Sequence, residues 1–297
     1  MFVLFRRLVF AFLSIAVLVV FDTPAFAGTD EAALRIKIAG RQRMLSQRIA
    51  KAICSISIID AEAHSKEAQD AIQLFDWSLR VLHHGGGQGI QKQETHATVT
   101  GAIARVGELW NHAGPHFWQL SLGQHDALLN VELIDDNMLL MQRSDELVSE
   151  IESTYARRGV SRTGLSTVNH SGRMGMLGEK SVKEACFILQ GFRPEENAES
   201  LVATIAEISR SLSMLERGDE PLRVTSPPTE PIRLAISDMR RHWREASLIL
   251  KSVAQDGSLK TEAYQRLHNV MGQFANAADT ATVMYSRHFS PAKTGSY

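Results

Sequence analysis

The chain has 297 residues, of which 44% are hydrophobic and 22% charged, and its formal net charge is −1. Composition is that of an ordinary folded protein, and the length suggests about two domains. A near-neutral balance excludes the basic footprint of a nucleic-acid binder.

The N-terminus reads as a targeting signal. Arg6 and Arg7 form a positive start, Leu8 to Phe21 is an apolar run, and Thr23-Pro24-Ala25-Phe26-Ala27 places alanines at −3 and −1 of a cut before Gly28. The run is short for a membrane span, which needs ~20 apolar residues. The expectation is a signal peptide over residues 1–27 and export to the periplasm, with an uncleaved inner-membrane anchor as the alternative.

Helical periodicity dominates the rest of the chain. Apolar residues at Leu34, Ile38, Leu45, Ile49, Ile53 and Ile56 predict a helix over Glu31 to Ala63. His64 to His84 predicts a second, stopped by Gly85-Gly86-Gly87. Thr95 to Trp110 predicts a third, closed by Gly114-Pro115, and His125 to Ala156 a fourth. Residues around Gly159 form the join. The pattern then restarts with predicted helices over Thr163 to Gln190, Pro194 to Arg217, Ile232 to Ala254 and Thr261 to His288. No stretch carries the period-two alternation of a strand. The expected fold is all-α, two tandem antiparallel four-helix bundles after the signal peptide, spanning 28–158 and 159–297.

An internal repeat supports that division. AGRQRMLSQRIAKAIC at 39–54 returns as SGRMGMLGEKSVKEAC at 171–186. Gly40, Arg41, Met44, Leu45 and Cys54 match Gly172, Arg173, Met176, Leu177 and Cys186. Trp110 and Trp243 keep nearly the same offset, as do Leu82 to Gly85 and Leu215 to Gly218.

On a helical wheel the first box has an apolar side around Leu45, Ile49 and Ile53. Nearly opposite lie Arg43, Gln47, Lys51 and Cys54, with Arg41 and Arg48 on a third stripe. Three arginines and a lysine within eleven residues, with no acid among them, repel one another. Either the stripe is a solvated face, or an anion or carboxylates from another helix neutralise it. The planar donor fork of arginine suits small oxyanions and carboxylates.

AGRQRMLSQRIAKA resembles the signature of the type IV pilus methyl-accepting chemotaxis transducer N-terminal (PilJ-type) domain, which is similar to the periplasmic module of nitrate sensors. The resemblance implies a helical-bundle sensor domain; no nucleophile–base signature, phosphate loop or paired-carboxylate motif appears in the sequence, so neither an enzymatic activity nor a cofactor is expected. In the nitrate-sensing relatives an arginine three residues after the box glycine holds the anion between the first helices of two subunits. That position is Arg43 here, with Arg48, Gln47 and Arg41 as supporting candidates. In the second copy the equivalents of Arg43, Gln47 and Arg48 are Gly175, Glu179 and Lys180, so that box loses positive charge.

The sequence carries no kinase or signalling coiled coil, so a sensor of this kind is expected to act through a membrane receptor or envelope protein. The rival reading is a non-sensing interaction protein of pilus or envelope assembly, its basic stripe docking an acidic partner helix. The chain is expected to form a homodimer, to dock its two bundles end to end, or to build the two-subunit interface within itself. The last would bring Cys54 and Cys186 beside a pseudo-axis, where a disulfide is feasible. Two buried thiols are the other reading of these cysteines. His112 and His116 stand four apart, but Gly114-Pro115 is expected to break the helix between them, so no metal site is expected.

Overall fold

The computed structural model describes residues 27–87, 89–124, 127–156 and 161–289. Apart from Ala27, the candidate signal peptide lies outside them. Eight α-helices are present among the described residues: α1 (Ala27–Ser55), α2 (Ala61–His84), α3 (Ala97–Ser121), α4 (Ala127–Ala156), α5 (Arg162–Leu189), α6 (Pro194–Arg217), α7 (Glu230–Asp256) and α8 (Thr261–Phe289). No strand occurs among these residues, only isolated bridges at Gly87–Ile90 and Asp219–Val224. None of the described helices is long and apolar enough to cross a membrane.

Two helix limits differ from expectation. The first predicted helix divides at Ser55. Three isoleucines at 56, 58 and 59 are weak helix formers, and the Asp60 carboxylate accepts the Ala63 N–H at 3.1 Å and starts α2 instead. Conversely, Gly114-Pro115 does not close α3, which runs on to Ser121 with Pro115 inside it. An interior proline costs about 3 kcal/mol. Phe117 and Leu120, both fully buried beyond it, supply the offset, at ~1.5–3 kcal/mol each.

The two copies repeat their turn chemistry. α2 ends at Gly85 with φ 74° and α6 ends at Gly218 with φ 81°, left-handed conformations that favour glycine. A Cβ on Gly85 would lie 2.7 Å from the Lys92 backbone. Each copy buries its repeat tryptophan: Trp110 stacks on Phe75 at 4.1 Å, and the Trp243 indole N–H donates to Ser209 Oγ at 3.0 Å.

Within each copy the four helices pack as a bundle, α1 to α4 and α5 to α8. The two bundles lie side by side. α1 and α5, the repeated first helices, pack on each other more extensively than any other pair among the described residues. The box is therefore at the centre of the molecule.

Candidate functional site

α1 is buried on almost every side because it faces its own bundle on one flank and α5 and α8 on the other. The stripe opposite the apolar core is not a solvated face: Arg43, Gln47 and Lys51 are all buried. Arg43 and Gln47 meet α4, and Lys51 meets α2, so the stripe faces helices of its own bundle as well as α5.

Carboxylates from other helices meet the stripe's charge. Arg43 donates to Asp145 Oδ1 of α4 at 2.6 Å and to Asn169 Oδ1 of α5 at 2.8 Å. Arg48 donates through Nε to Glu179 Oε1 of α5 at 2.8 Å. Lys51 lies 2.7 Å from Glu67 Oε1 of α2 and 2.8 Å from Glu179 Oε2. Gln47 donates to Asn137 Oδ1 at 3.2 Å, and Asn137 also accepts from Lys183 at 3.1 Å and donates to the Ser46 carbonyl at 2.5 Å.

The electrostatics follow from this burial. Desolvation alone would raise the Glu179 carboxyl and lower the Lys51 ammonium. Lys51 and Arg48 instead hold Glu179 below the usual carboxylate range, and Glu179 and Glu67 hold Lys51 above the usual lysine range. Burial lowers Arg43, with Asp145 opposing the shift.

Cys54 and Cys186 form a disulfide with Cα atoms 6.2 Å apart. It ties the C-terminal part of α1 to that of α5. Next to it, the Ser55 hydroxyl and the Tyr264 hydroxyl of α8 share a hydrogen bond at 2.8 Å.

A cavity of about 220 Å³ opens where α1, α5 and α8 meet. Lys37, Arg41 and Arg48 line it, together with the box glycines Gly40 and Gly172 and with Gly175, Asp279 and Thr282. Two of the four arginine and glutamine candidates, Arg41 and Arg48, are thus at the cavity. Arg43 and Gln47 lie outside its lining and are bound to α4 and α5. Three cations face one carboxylate, and Arg48 is also met by Glu179. Burial lowers Lys37, and its neighbours Arg41 and Arg287 push the same way against Asp279. Arg41 is likewise lowered by burial and by Arg48, with Asp279 opposing. Arg48, the third cation of the wall, is instead held above the usual arginine range by Glu179.

Sequence reasoning passed over Lys37 and Asp279, and read Gly175 only as a loss of charge from the second box. Lys37 is one turn before Arg41, so helical spacing alone puts them on one stripe. Asp279 could not be found that way, because its place at the cavity depends on how α8 packs. In the second copy Arg173 pairs with Glu207 at 2.8 Å, and Lys180 pairs with Glu184, both inside their own bundle.

A family model described as type IV pili methyl-accepting chemotaxis transducer N-term, PilJ, matches residues 25–136 and again residues 161–268. The two matches fall on the two copies. No curated protein matches the chain.

Proposed function

The chain belongs to the PilJ family, present in two tandem copies, and we propose that it is a periplasmic accessory sensor that binds a small anion between them. Its family is one of sensory-type N-terminal domains of chemotaxis transducers, a non-catalytic class. In this reading residues 1–27 are removed, units 28–158 and 159–297 form an intrachain pseudo-dimer, and a membrane receptor takes up the signal.

The observation that carries the reading is the cavity between α1, α5 and α8, with Lys37, Arg41 and Arg48 in its wall. Its volume accommodates a small oxyanion such as nitrate or a short carboxylate. Lys37 and Arg41 place ammonium and guanidinium groups in that wall beside Asp279, and Thr282 offers a hydroxyl from α8. Arg43 and Gln47 act by fixing α1 against α4 and α5, which holds the cavity's first wall in place. An anion held between α1 of one copy and α8 of the other changes how firmly the copies are joined, and that is the state a partner would read.

The rival docking role needs a stripe that is free to meet an acidic helix. Arg43, Arg48 and Lys51 already meet Asp145, Glu179 and Glu67 within the chain, so the stripe offers such a partner little.

Thermal stability of residues 28–297 against nitrate, nitrite, sulfate and small carboxylates tests the proposal. A ligand at 100 times its dissociation constant adds ~2.7 kcal/mol. Arg41→Ala should abolish the shift. Arg43→Ala should lower the starting stability and weaken the shift. A shift that persists unchanged in Arg41→Ala would place the anion elsewhere.

A further inference from the structure

Beside Lys51, three metal-ligating side chains from both copies converge. His64 and Glu67 stand three residues apart on the first turns of α2, which places them on one face. His268 comes from α8 of the other copy. His64 Nδ1 is 3.1 Å from Glu67 Oε2, His268 Nε2 is 3.5 Å from the same oxygen, and the two imidazoles meet edge to face at 4.5 Å. All three ligand atoms lie within 4.8 Å of one another.

We propose that His64, Glu67 and His268 form a site for one divalent transition-metal ion of the zinc class, which clamps α2 of the first copy to α8 of the second. In a tetrahedral zinc site with bonds of about 2.0–2.1 Å, neighbouring ligand atoms are separated by about 3.4 Å. The two separations to Glu67 Oε2 bracket that value. The ligand set of two imidazoles and one carboxylate suits zinc and its neighbours and leaves a fourth position for water.

Two details distinguish the cluster from ordinary polar packing. His268 Nε2 is shielded from solvent and stands 3.5 Å from Glu67 Oε2, a contact longer than an ordinary N–H···O hydrogen bond. A neutral nitrogen with its lone pair directed at the cluster fits that placement. Second, Lys51 occupies only the other oxygen, Oε1, at 2.7 Å. It orients the carboxylate so that Oε2 faces both imidazoles, as outer-shell partners of metal ligands do.

The Glu67 carboxylate, shared with Lys51, is the negative charge that would face an added ion. Lys51 and Arg48 are already matched by Glu67 and Glu179. The Glu67 and His268 side chains keep 25% and 16% of their exposure, so water reaches the site. Glu67 also lines an open groove with Lys66 and Asp70, which gives the ion a way in. His64 binds through Nδ1 once its proton is carried on Nε2.

Such an ion would sit one turn along α8 from Tyr264, which bonds Ser55 beside the Cys54–Cys186 disulfide. It would be a second fastening between the copies, and one that, unlike the covalent link, comes and goes with metal supply.

Calorimetric titration of chelator-treated residues 28–297 with zinc chloride tests the site, with His268→Ala, His64→Gln and His112→Ala compared in parallel. His112→Ala is a control for the exposed His112–His116–Asp136 cluster on α3 and α4. Cobalt(II) absorption reports the coordination geometry independently. We expect one zinc per chain, a tetrahedral cobalt spectrum, at least tenfold weaker zinc binding in both His268→Ala and His64→Gln, and no change in His112→Ala. Circular dichroism of the metal-free variants establishes that they are folded. Absence of zinc binding, or binding that survives in folded His268→Ala, overturns the proposal, as does binding lost only in His112→Ala.

Discussion

Arg43 and Gly175 hold the same position in the two copies, and the space that one fills the other leaves open. The Arg43 guanidinium lies between α1, α4 and α5, bonded to Asp145 and Asn169. On the opposite side of the pseudo-axis Gly175 has no side chain, and the corresponding space between α5, α8 and α1 is the cavity. Asn169, the partner of Arg43, is replaced there by its counterpart Lys37. Divergence between the copies thus made one filled and one open pocket from a symmetric plan.

A first consequence concerns Gly175 itself. It sits in the interior of α5, and a Cβ there would lie 3.8 Å from Met44 Cγ, an ordinary contact. Gly175→Ala should therefore stabilise the fold by roughly 0.5–1 kcal/mol through helix propensity. Urea unfolding midpoints of the two proteins check this.

Glu179 is the acid on which two cations depend. Glu179→Gln leaves Lys51 and Arg48 short of a counter-charge in a buried setting, which should cost about 3 kcal/mol. Its carboxyl is held below the ordinary value of 4.5 in the fold. The stabilisation is therefore present above the unfolded pKa and is lost as pH falls below it. Stability measured from pH 7 down to pH 3 should fall less steeply in Glu179→Gln than in the parent.

That residue also marks where sequence reading stopped. The repeat, the restart of the helical pattern and the box were all legible, because periodicity and spacing are local signals. Replacement of Gln47 by Glu179 was legible too, but as a loss of positive charge from the second box. Its effect is to neutralise the first box, since Glu179 bonds Arg48 and Lys51 across the α1–α5 contact. Nothing local says which face of α1 meets α5. The same limit explains Asp145, Glu67 and Asp279, which reach the site only through tertiary packing. Pro115 misled for the opposite reason: a local breaking signal was overridden by the burial of Phe117 and Leu120.

Lys183 is buried beside Asn137 and Phe187, and burial lowers its pKa to about 8. A lysine lowered in the fold makes the unfolded chain bind more protons between about 8 and the ordinary 10.5. Stability should therefore rise with pH across that interval. In Lys183→Met the rise should be absent, and the variant should be the more stable of the two at pH 7. Denaturation at pH 7, 8, 9 and 10 reads both effects.

The Cys54–Cys186 link closes a long loop, with a sequence separation of 132 between its ends. Closure of that size restricts the unfolded chain by about 4–5 kcal/mol. The double variant Cys54→Ala with Cys186→Ala should lose stability of that order while keeping its helical content. Denaturant unfolding with circular dichroism measures both, and the mass of unreduced peptides establishes the pairing.

Anion binding between the copies is tested most directly by calorimetric titration of residues 28–297 with nitrate, nitrite, sulfate and small carboxylates, run beside Gly175→Arg. An arginine at 175 fills the cavity as Arg43 fills its counterpart and sets a cation where the anion would lie. Saturable binding of at least one of these anions by the parent, and none by a folded Gly175→Arg, is the expected result. Equal binding by both proteins, or none by the parent, would contradict it.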